Sequence, residues 1–96
     1  MRYLFIIFIV VISFTAIPLF AGQDEYDNCI LTHLINAKND LAAQIMKMAC
    51  NESYKDVKIL SQERKAYNEC LLKYLPGVES HDAVTEIQEV CRRKHL

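Results

Sequence analysis

Apolar residues recur at helical intervals through most of the chain, after a continuous apolar run at the N-terminus. The first stripe consists of Tyr26, Cys29, Ile30, His33 or Leu34, and Ala37. Intervals of three and four residues place side chains on one face of an α-helix. The sequence lacks the sustained alternation and the Asn-Gly or Asp-Gly pairs that are typical of β-hairpins. The pattern predicts an all-α protein.

Segment 26–55 is repeated as segment 67–96 without a gap, so that Tyr26 aligns with Tyr67 and Cys29 with Cys70. Six of the thirty aligned positions are identical, whereas about two would be expected from ordinary residue frequencies. An internal repeat indicates that both segments fold as the same unit. Each unit is predicted to be a helix, a four-residue turn and a second helix, which is an αα-hairpin. Two such hairpins would bury their apolar faces against each other in one four-helix domain.

Caps and turns mark the ends of these helices. Four residues are predicted to cap the N-termini, because their side chains accept hydrogen bonds from the first turn: Asp24, Asn39, Ser61 and Ser80. The first helix is predicted to end near Ile35. Asn36 aligns with Gly77, and these residue types most readily adopt the left-handed conformation after a helix. The two turns are therefore expected to share one backbone conformation.

The inner faces of the other helices follow from the same spacing. The second helix is predicted to bury Leu41 or Ala42, Ile45, Ala49 and Cys50. The third is predicted to bury Tyr67, Cys70, Leu71, Tyr74 and Leu75, and the fourth Ala83 or Val84, Ile87, Val90 and Cys91. Met46 and Met48 flank the second stripe, where they either fill gaps in the core or form an adaptable contact surface. Tyr54 is a candidate for exposed contacts.

Segment 1–21 has the three parts of a secretory signal peptide. Arg2 supplies a short positive region, segment 4–12 is an unbroken apolar run, and segment 19–21 is an acceptable cleavage site. The competing interpretation is an uncleaved membrane anchor, since a bilayer is spanned by about 20 apolar residues. Pro18 and the single flanking charge favour cleavage. We predict a signal peptide over residues 1–21, a helical domain over 22–96, and no stable membrane insertion after cleavage.

The charge of the mature chain limits its partners. It would carry ten Lys and Arg residues against twelve Asp and Glu residues, a net charge of −2. Nucleic acids and anionic membranes require a basic surface, so the charge argues against both. The basic segment 92–95 has a simpler explanation, because cations at a helix C-terminus complement the helix dipole.

The four cysteines are spread almost evenly along the mature chain: Cys29, Cys50, Cys70 and Cys91. Four cysteines in a small exported chain predict two disulfides. The alternative is a zinc site, but such sites normally use close pairs such as C-x2-C, and the chain has none. The repeat is compatible with all three pairings, and helix geometry does not choose among them. The missing C-x-x-C pair also argues against a thiol oxidoreductase.

No other group of residues predicts catalysis, a cofactor or a bound metal. The chain has three histidines, His33, His81 and His95. The sequence places no nucleophile and acid with any of them. His33 aligns with Tyr74, so this position accepts a half-buried ring and favours a packing role. The serines at positions 53, 61 and 80 are explained as linker or cap residues. The sequence therefore predicts a protein that is not an enzyme.

Each repeat contains Cys-Ile/Leu-Leu-x2-Leu, a turn, an Asn or Ser cap, Ala and a second Cys. In this pattern the chain resembles the small exported four-cysteine proteins of Gram-negative, especially marine, bacteria. Segments 39–43 and 75–78 match the turns of that unit. The second copy departs at one point, because His81 follows the Ser80 cap and the acid, Asp82, comes one position later. The resemblance covers nearly all of the mature chain. It implies export and disulfides, but no activity, no substrate and no functional residue besides the cysteines.

Shorter proteins of this kind carry a single unit with two cysteines, which can bridge only within itself. The resemblance therefore implies the pairs Cys29–Cys50 and Cys70–Cys91, with Cys29–Cys91 and Cys50–Cys70 as the alternative. We expect a periplasmic or secreted protein that acts without catalysis, as an interaction or accessory protein with an unidentified protein partner. The alternative is a small carrier of an apolar ligand between the hairpins, which requires a core under-filled by its alanines: Ala42, Ala43, Ala49 and Ala83.

Overall fold

A computed structural model of the protein describes residues 21–56 and 59–96. Over this part the chain forms four α-helices and no strand: α1 (Ala21–His33), α2 (Asp40–Tyr54), α3 (Gln62–Tyr74) and α4 (His81–His95). A single 3-10 turn, Leu34–Asn36, follows α1. The all-α class and the two αα-hairpins are confirmed. Nearly all of the predicted signal peptide lies outside the described residues.

Three of the four predicted N-caps are confirmed. The Asn39 side chain accepts hydrogen bonds from the backbone N–H groups of Leu41 and Ala42. Ser61 and Ser80 accept equivalent bonds from the residues three positions on. The predicted cap at Asp24 is wrong, because α1 begins at Ala21 and Asp24 lies within its first turn.

The two turns differ in conformation, so the expected left-handed Asn36 is wrong. Among the described residues only Gly77 has a positive φ, at 82°. In the first repeat the chain tightens into the 3-10 turn, where the Ala37 N–H donates to the Leu34 carbonyl. This bond satisfies a helix-end carbonyl without a left-handed residue. The turns meet in space, because the Gly77 N–H donates to the Asn36 carbonyl over 2.8 Å.

Gly77→Val should lower the free energy of unfolding by about 1–2 kcal/mol, because a β-branched side chain is strained at positive φ. No atom lies within 4 Å of a Cβ built at this position, so the cost comes from backbone conformation and not from a clash. Gly77→Asn is the matched control and should cost much less, since Asn tolerates the left-handed region. Equal melting temperatures for the two variants would contradict this assignment.

The core lies between α2, α3 and α4, and α1 packs outside it. The buried cluster is drawn from those three helices and the turn after α3: Ala42, Ile45, Met46, Tyr67, Cys70, Leu71, Leu75, Val84 and Cys91. α1 packs along α2 and makes at most a marginal contact with α3 or α4. The one buried side chain described in α1 is Cys29. The hairpins therefore do not bury their faces symmetrically: α2 is central and α1 is peripheral.

Several side chains depart from the predicted inner faces. Met46 is completely buried, whereas Met48 is 62% exposed, so the first methionine fills the core and the second does not. Tyr74 and Val90 were predicted to be inside but are exposed. Val90 aligns with Ala49 in the internal repeat, but Ala49 is buried because it lies at the cleft between α2 and α3. In the described part of the chain, no helix covers the equivalent face of α4.

Candidate functional site

Each hairpin is closed by its own disulfide. Cys29 on α1 is bonded to Cys50 on α2, with a Cα–Cα distance of 5.8 Å. Cys70 on α3 is bonded to Cys91 on α4, with a Cα–Cα distance of 5.7 Å. This is the pairing that the resemblance implies, and it excludes bridges between the hairpins. In the first repeat, the 3-10 turn is followed by extended backbone at Ala37 and Asn39 before α2 begins.

A polar cluster links the two hairpins where the C-terminal end of α2 lies beside the start of α3. Arg64 donates two hydrogen bonds to the Glu52 carboxylate, from Nε over 2.8 Å and from Nη2 over 2.7 Å. Asn68, which is only 2% exposed, donates from Nδ2 to the same carboxylate over 3.1 Å. A bidentate pair fixes both the distance and the angle between two helices more tightly than a point contact.

The cluster extends to α4 through an aromatic ring. The Arg64 guanidinium lies 5.0 Å from the centroid of the Tyr67 ring, and Gln88 on α4 donates to the Tyr67 hydroxyl over 3.5 Å. The hydrogen bonds to Glu52 raise the pKa of Arg64 above its usual value, although partial burial opposes the shift. We call these five residues the junction cluster: Glu52, Arg64, Tyr67, Asn68 and Gln88. It joins three helices.

Sequence reasoning did not identify the junction cluster as a site. Asn68 lies on a helical stripe with Arg64, Leu71 and Leu75, at intervals of four, three and four residues. A polar residue on a buried stripe requires a hydrogen-bond partner. The position of Asn68 on this stripe was therefore the signal in the sequence that a polar contact forms here. The acid that satisfies Asn68 is Glu52, twelve residues before Arg64 and beyond a linker. Only the packing of the hairpins identifies that partner.

Glu52→Ala should destabilise the protein by about 1–3 kcal/mol, because it leaves the buried Asn68 amide without its acceptor. Arg64→Ala is the matched comparison and should cost about 1 kcal/mol or less, since its side chain is 38% exposed and Asn68 keeps its bond to Glu52. Urea denaturation followed by circular dichroism measures both. A larger loss for Arg64→Ala than for Glu52→Ala would contradict this order.

Two pockets lie between the hairpins, and the larger is an open one of about 450 Å³, lined from α2 by Tyr54, from the linker by Leu60 and from α3 by Leu72. The cleft that the junction cluster shares with Ile45, Ala49 and Leu71 has a volume of about 80 Å³. A wider open groove of about 510 Å³ lies between α1 and α2, beside Tyr26, Lys47 and Met48. Ligand pockets are usually enclosed clefts of about 300–1,000 Å³. The cleft at the junction cluster is therefore too small for a lipid chain, whereas the two wider pockets have the volume of a ligand site but are open to solvent.

The remaining predicted residues do not come together as a site. His33 lines a shallow groove with Thr32 and Tyr54, whereas His81 and His95 are the first and last residues of α4. Over the described ranges, no cluster of His, Cys, Asp and Glu is placed to hold a metal ion. In the same part of the chain, none of the helices has the length and apolar character to cross a membrane.

Two hairpins of one repeat, each closed by a disulfide and joined through a polar junction, define a small disulfide-stabilised helical-repeat protein. The family model of the four-cysteine VF_A0006-like proteins matches residues 6–95, and the chain belongs to that family. No curated protein matches the chain, and no solved structure does.

Proposed function

We propose that this protein is exported and acts outside the cytoplasm as a non-catalytic interaction protein. Two disulfides support export, since such bonds persist in oxidising compartments and are rare in the cytosol. The signal-peptide pattern of residues 1–21 supports it independently.

The open side of α1 carries the proposed interaction role. Leu31 is 67% exposed and Ile35, four residues later, is 77% exposed. Leu31 lies in α1 and Ile35 in the 3-10 turn that follows it, and α1 is covered mainly by α2. Large apolar side chains on the uncovered side of a helix can form the buried centre of an interface. We call Leu31 and Ile35 the outer apolar pair.

Two further observations favour binding over catalysis or transport. All four cysteines are bonded in pairs, and the most buried polar side chain, Asn68, donates to Glu52 within the junction cluster. The disulfide sulfur atoms and the Asn68 amide therefore hold helices together. The alternative of a carrier is less well supported, because Ala42 and Met46 are completely buried and the pocket of about 450 Å³ between the hairpins is open to solvent rather than enclosed.

Export is tested by N-terminal sequencing of the protein isolated from its host. We expect the chain to begin at Gly22. An intact N-terminus in the membrane fraction would show that residues 1–21 are an anchor. The protein would then act at a membrane, and the soluble exported form would be ruled out.

The interaction role is tested by native mass spectrometry of the protein isolated from its host. We expect a co-purifying protein that is lost when Leu31→Lys and Ile35→Lys are introduced together. The matched control is Leu96→Lys, which places the same charge at a position that is also exposed but lies at the end of α4. A co-purifying lipid would favour the carrier. A protein that all variants retain would contradict the role of the outer apolar pair.

A further inference from the structure

The two disulfides are chemically alike but lie in different surroundings. Cys70 and Cys91 belong to the buried core cluster that also contains Met46, whereas Cys29 and Cys50 lie outside that cluster. Static exposure does not distinguish the bridges, because Cys29 is 6% exposed and Cys70 is 8% exposed. What distinguishes them is how much of the fold must move before a reagent reaches the sulfur atoms.

The helix that carries Cys29 is held by little packing. Over the described side chains of α1, only Cys29 is buried. Its counterpart α3 has the same length of 13 residues but buries four side chains: Tyr67, Asn68, Cys70 and Leu71. α1 packs mainly on α2, whereas α3 packs on both α2 and α4. A helix of this length is marginal on its own in water, so α1 depends on α2 and on its bridge.

The first bridge also lies beside a surface groove. Cys29 lines an open groove of about 360 Å³ together with Thr32 and His33, and its partner Cys50 is completely buried. A thiolate must reach one of the two sulfur atoms to reduce a disulfide. Local opening of α1 would widen the approach to Cys29, whereas the second bridge is reached only when the core separates.

We propose that Cys29–Cys50 is a reducible switch that holds α1 on the protein, and that Cys70–Cys91 is the permanent bridge. The reductant is a dithiol, such as a protein with a C-x-x-C pair. One of its thiolates attacks Cys29 Sγ to form a mixed disulfide, and Cys50 leaves as a thiolate that takes a proton from water.

The second thiolate of the reductant completes the exchange. It attacks the reductant's own sulfur in the mixed disulfide, and Cys29 leaves as a thiolate that is protonated in turn. The two cysteines are thereby reduced to thiols, and the dithiol is oxidised to a disulfide. An oxidised C-x-x-C protein can reverse both steps and close the bridge again.

Reduction would act on the surface that carries the proposed interaction. Leu31 lies on α1, and Ile35 follows in the 3-10 turn. Once its bridge is open, α1 loses its covalent tie to α2, while the junction cluster and the second bridge keep α2, α3 and α4 together. The outer apolar pair then loses its fixed position. This consequence rests on the proposed function, whereas the selective reduction does not.

Graded reduction of the folded protein with dithiothreitol tests the selectivity. Samples are quenched with iodoacetamide at intervals and mapped by mass spectrometry. We expect Cys29 and Cys50 to be labelled about tenfold or more faster than Cys70 and Cys91, since opening one peripheral helix costs less than opening the core. In urea the two bridges should react at similar rates. Similar rates in the folded protein, or earlier labelling of the second bridge, would overturn the proposal.

A pair of variants tests whether opening of α1 limits the reaction. Ile30 is half-buried on α1, and its neighbour Leu31 is 67% exposed. Ile30→Ala should accelerate reduction of Cys29–Cys50 several-fold and leave Cys70–Cys91 unchanged. Leu31→Ala is the matched control and should change neither rate. Equal rates for the two variants would show that reduction does not proceed through the opening of α1.

Hydrogen exchange of the protein with only the first bridge reduced tests the switch itself. Amides of α1 should exchange faster than in the oxidised protein, while those of α2, α3 and α4 keep their protection. An α1 that stays protected after selective reduction would overturn the switch. None of these measurements uses a partner, so a failure to capture a host protein would count against the proposed function alone.

Discussion

Removing the Cys70–Cys91 bridge is expected to lower the free energy of unfolding by about 3 kcal/mol, the chain-entropy value for a loop of about 20 residues. Both cysteines belong to the core cluster formed with α2. The variant replaces both residues with Ala, so that no free thiol remains. A core of this size rarely supplies more than about 3–5 kcal/mol of net stability, so this loss should leave the protein close to unfolding.

The matched comparison removes the Cys29–Cys50 bridge in the same way. These cysteines are buried but lie outside the core cluster, and α1 is held mainly by α2. We expect α1 to open locally while α2, α3 and α4 stay folded. Hydrogen exchange should therefore accelerate in α1, and urea denaturation of the core should change less. Equal losses of core stability, with α1 still protected, would show that α1 belongs to the core.

Met46→Ala is expected to destabilise the protein by about 2–5 kcal/mol, the range for truncating a buried large side chain. Met46 is completely buried in the cluster that contains Leu71, Leu75 and Val84. Met48→Ala is the control, because that side chain is exposed, and its effect should lie within about 0.5 kcal/mol. The chain has no tryptophan, so far-UV circular dichroism is the appropriate probe of unfolding.

Met46→Leu separates volume from chemistry at the same position. A substitution that conserves volume usually costs less than about 1.5 kcal/mol in a core, so most of the stability should return. Similar losses for Met46→Ala and Met48→Ala would contradict the burial assigned to α2. A loss for Met46→Leu as large as that for Met46→Ala would show that shape, and not volume, decides packing at this position.

Local signals in the sequence predicted the helices well. The Asn and Ser caps and the periodic stripes depend on residues within one or two turns of each other, and they led to the correct hairpins. Asp24 failed as a cap because capping residues are also tolerated in a first turn. Asn36 failed because a helix can end by tightening into a 3-10 turn, and no local residue requires the left-handed alternative.

The arrangement of the hairpins could not be predicted in the same way. The repeat suggested equal burial in both copies, yet over residues 21–56 and 59–96 α2 packs against α3, whereas the equivalent face of α4 meets no helix. Ala49 and Val90 occupy equivalent positions, but the first is buried and the second is exposed. The Glu52–Asn68 contact spans 16 residues and a linker, so neither residue alone indicates its partner. Whether a position is buried depends on which helices lie beside it in the folded protein, and helical periodicity gives no information about those neighbours.

One peptide map tests most directly whether each repeat closes its own disulfide, and it also tests the proposed export. Trypsin should place the cysteines on four separate peptides: 22–38, 48–55, 66–73 and 74–92. In protein isolated from its host and digested without reduction, we expect peptide 22–38, beginning at Gly22, joined to 48–55, and peptide 66–73 joined to 74–92. Peptide 22–38 joined to 74–92, or cysteines found as free thiols, would contradict the account.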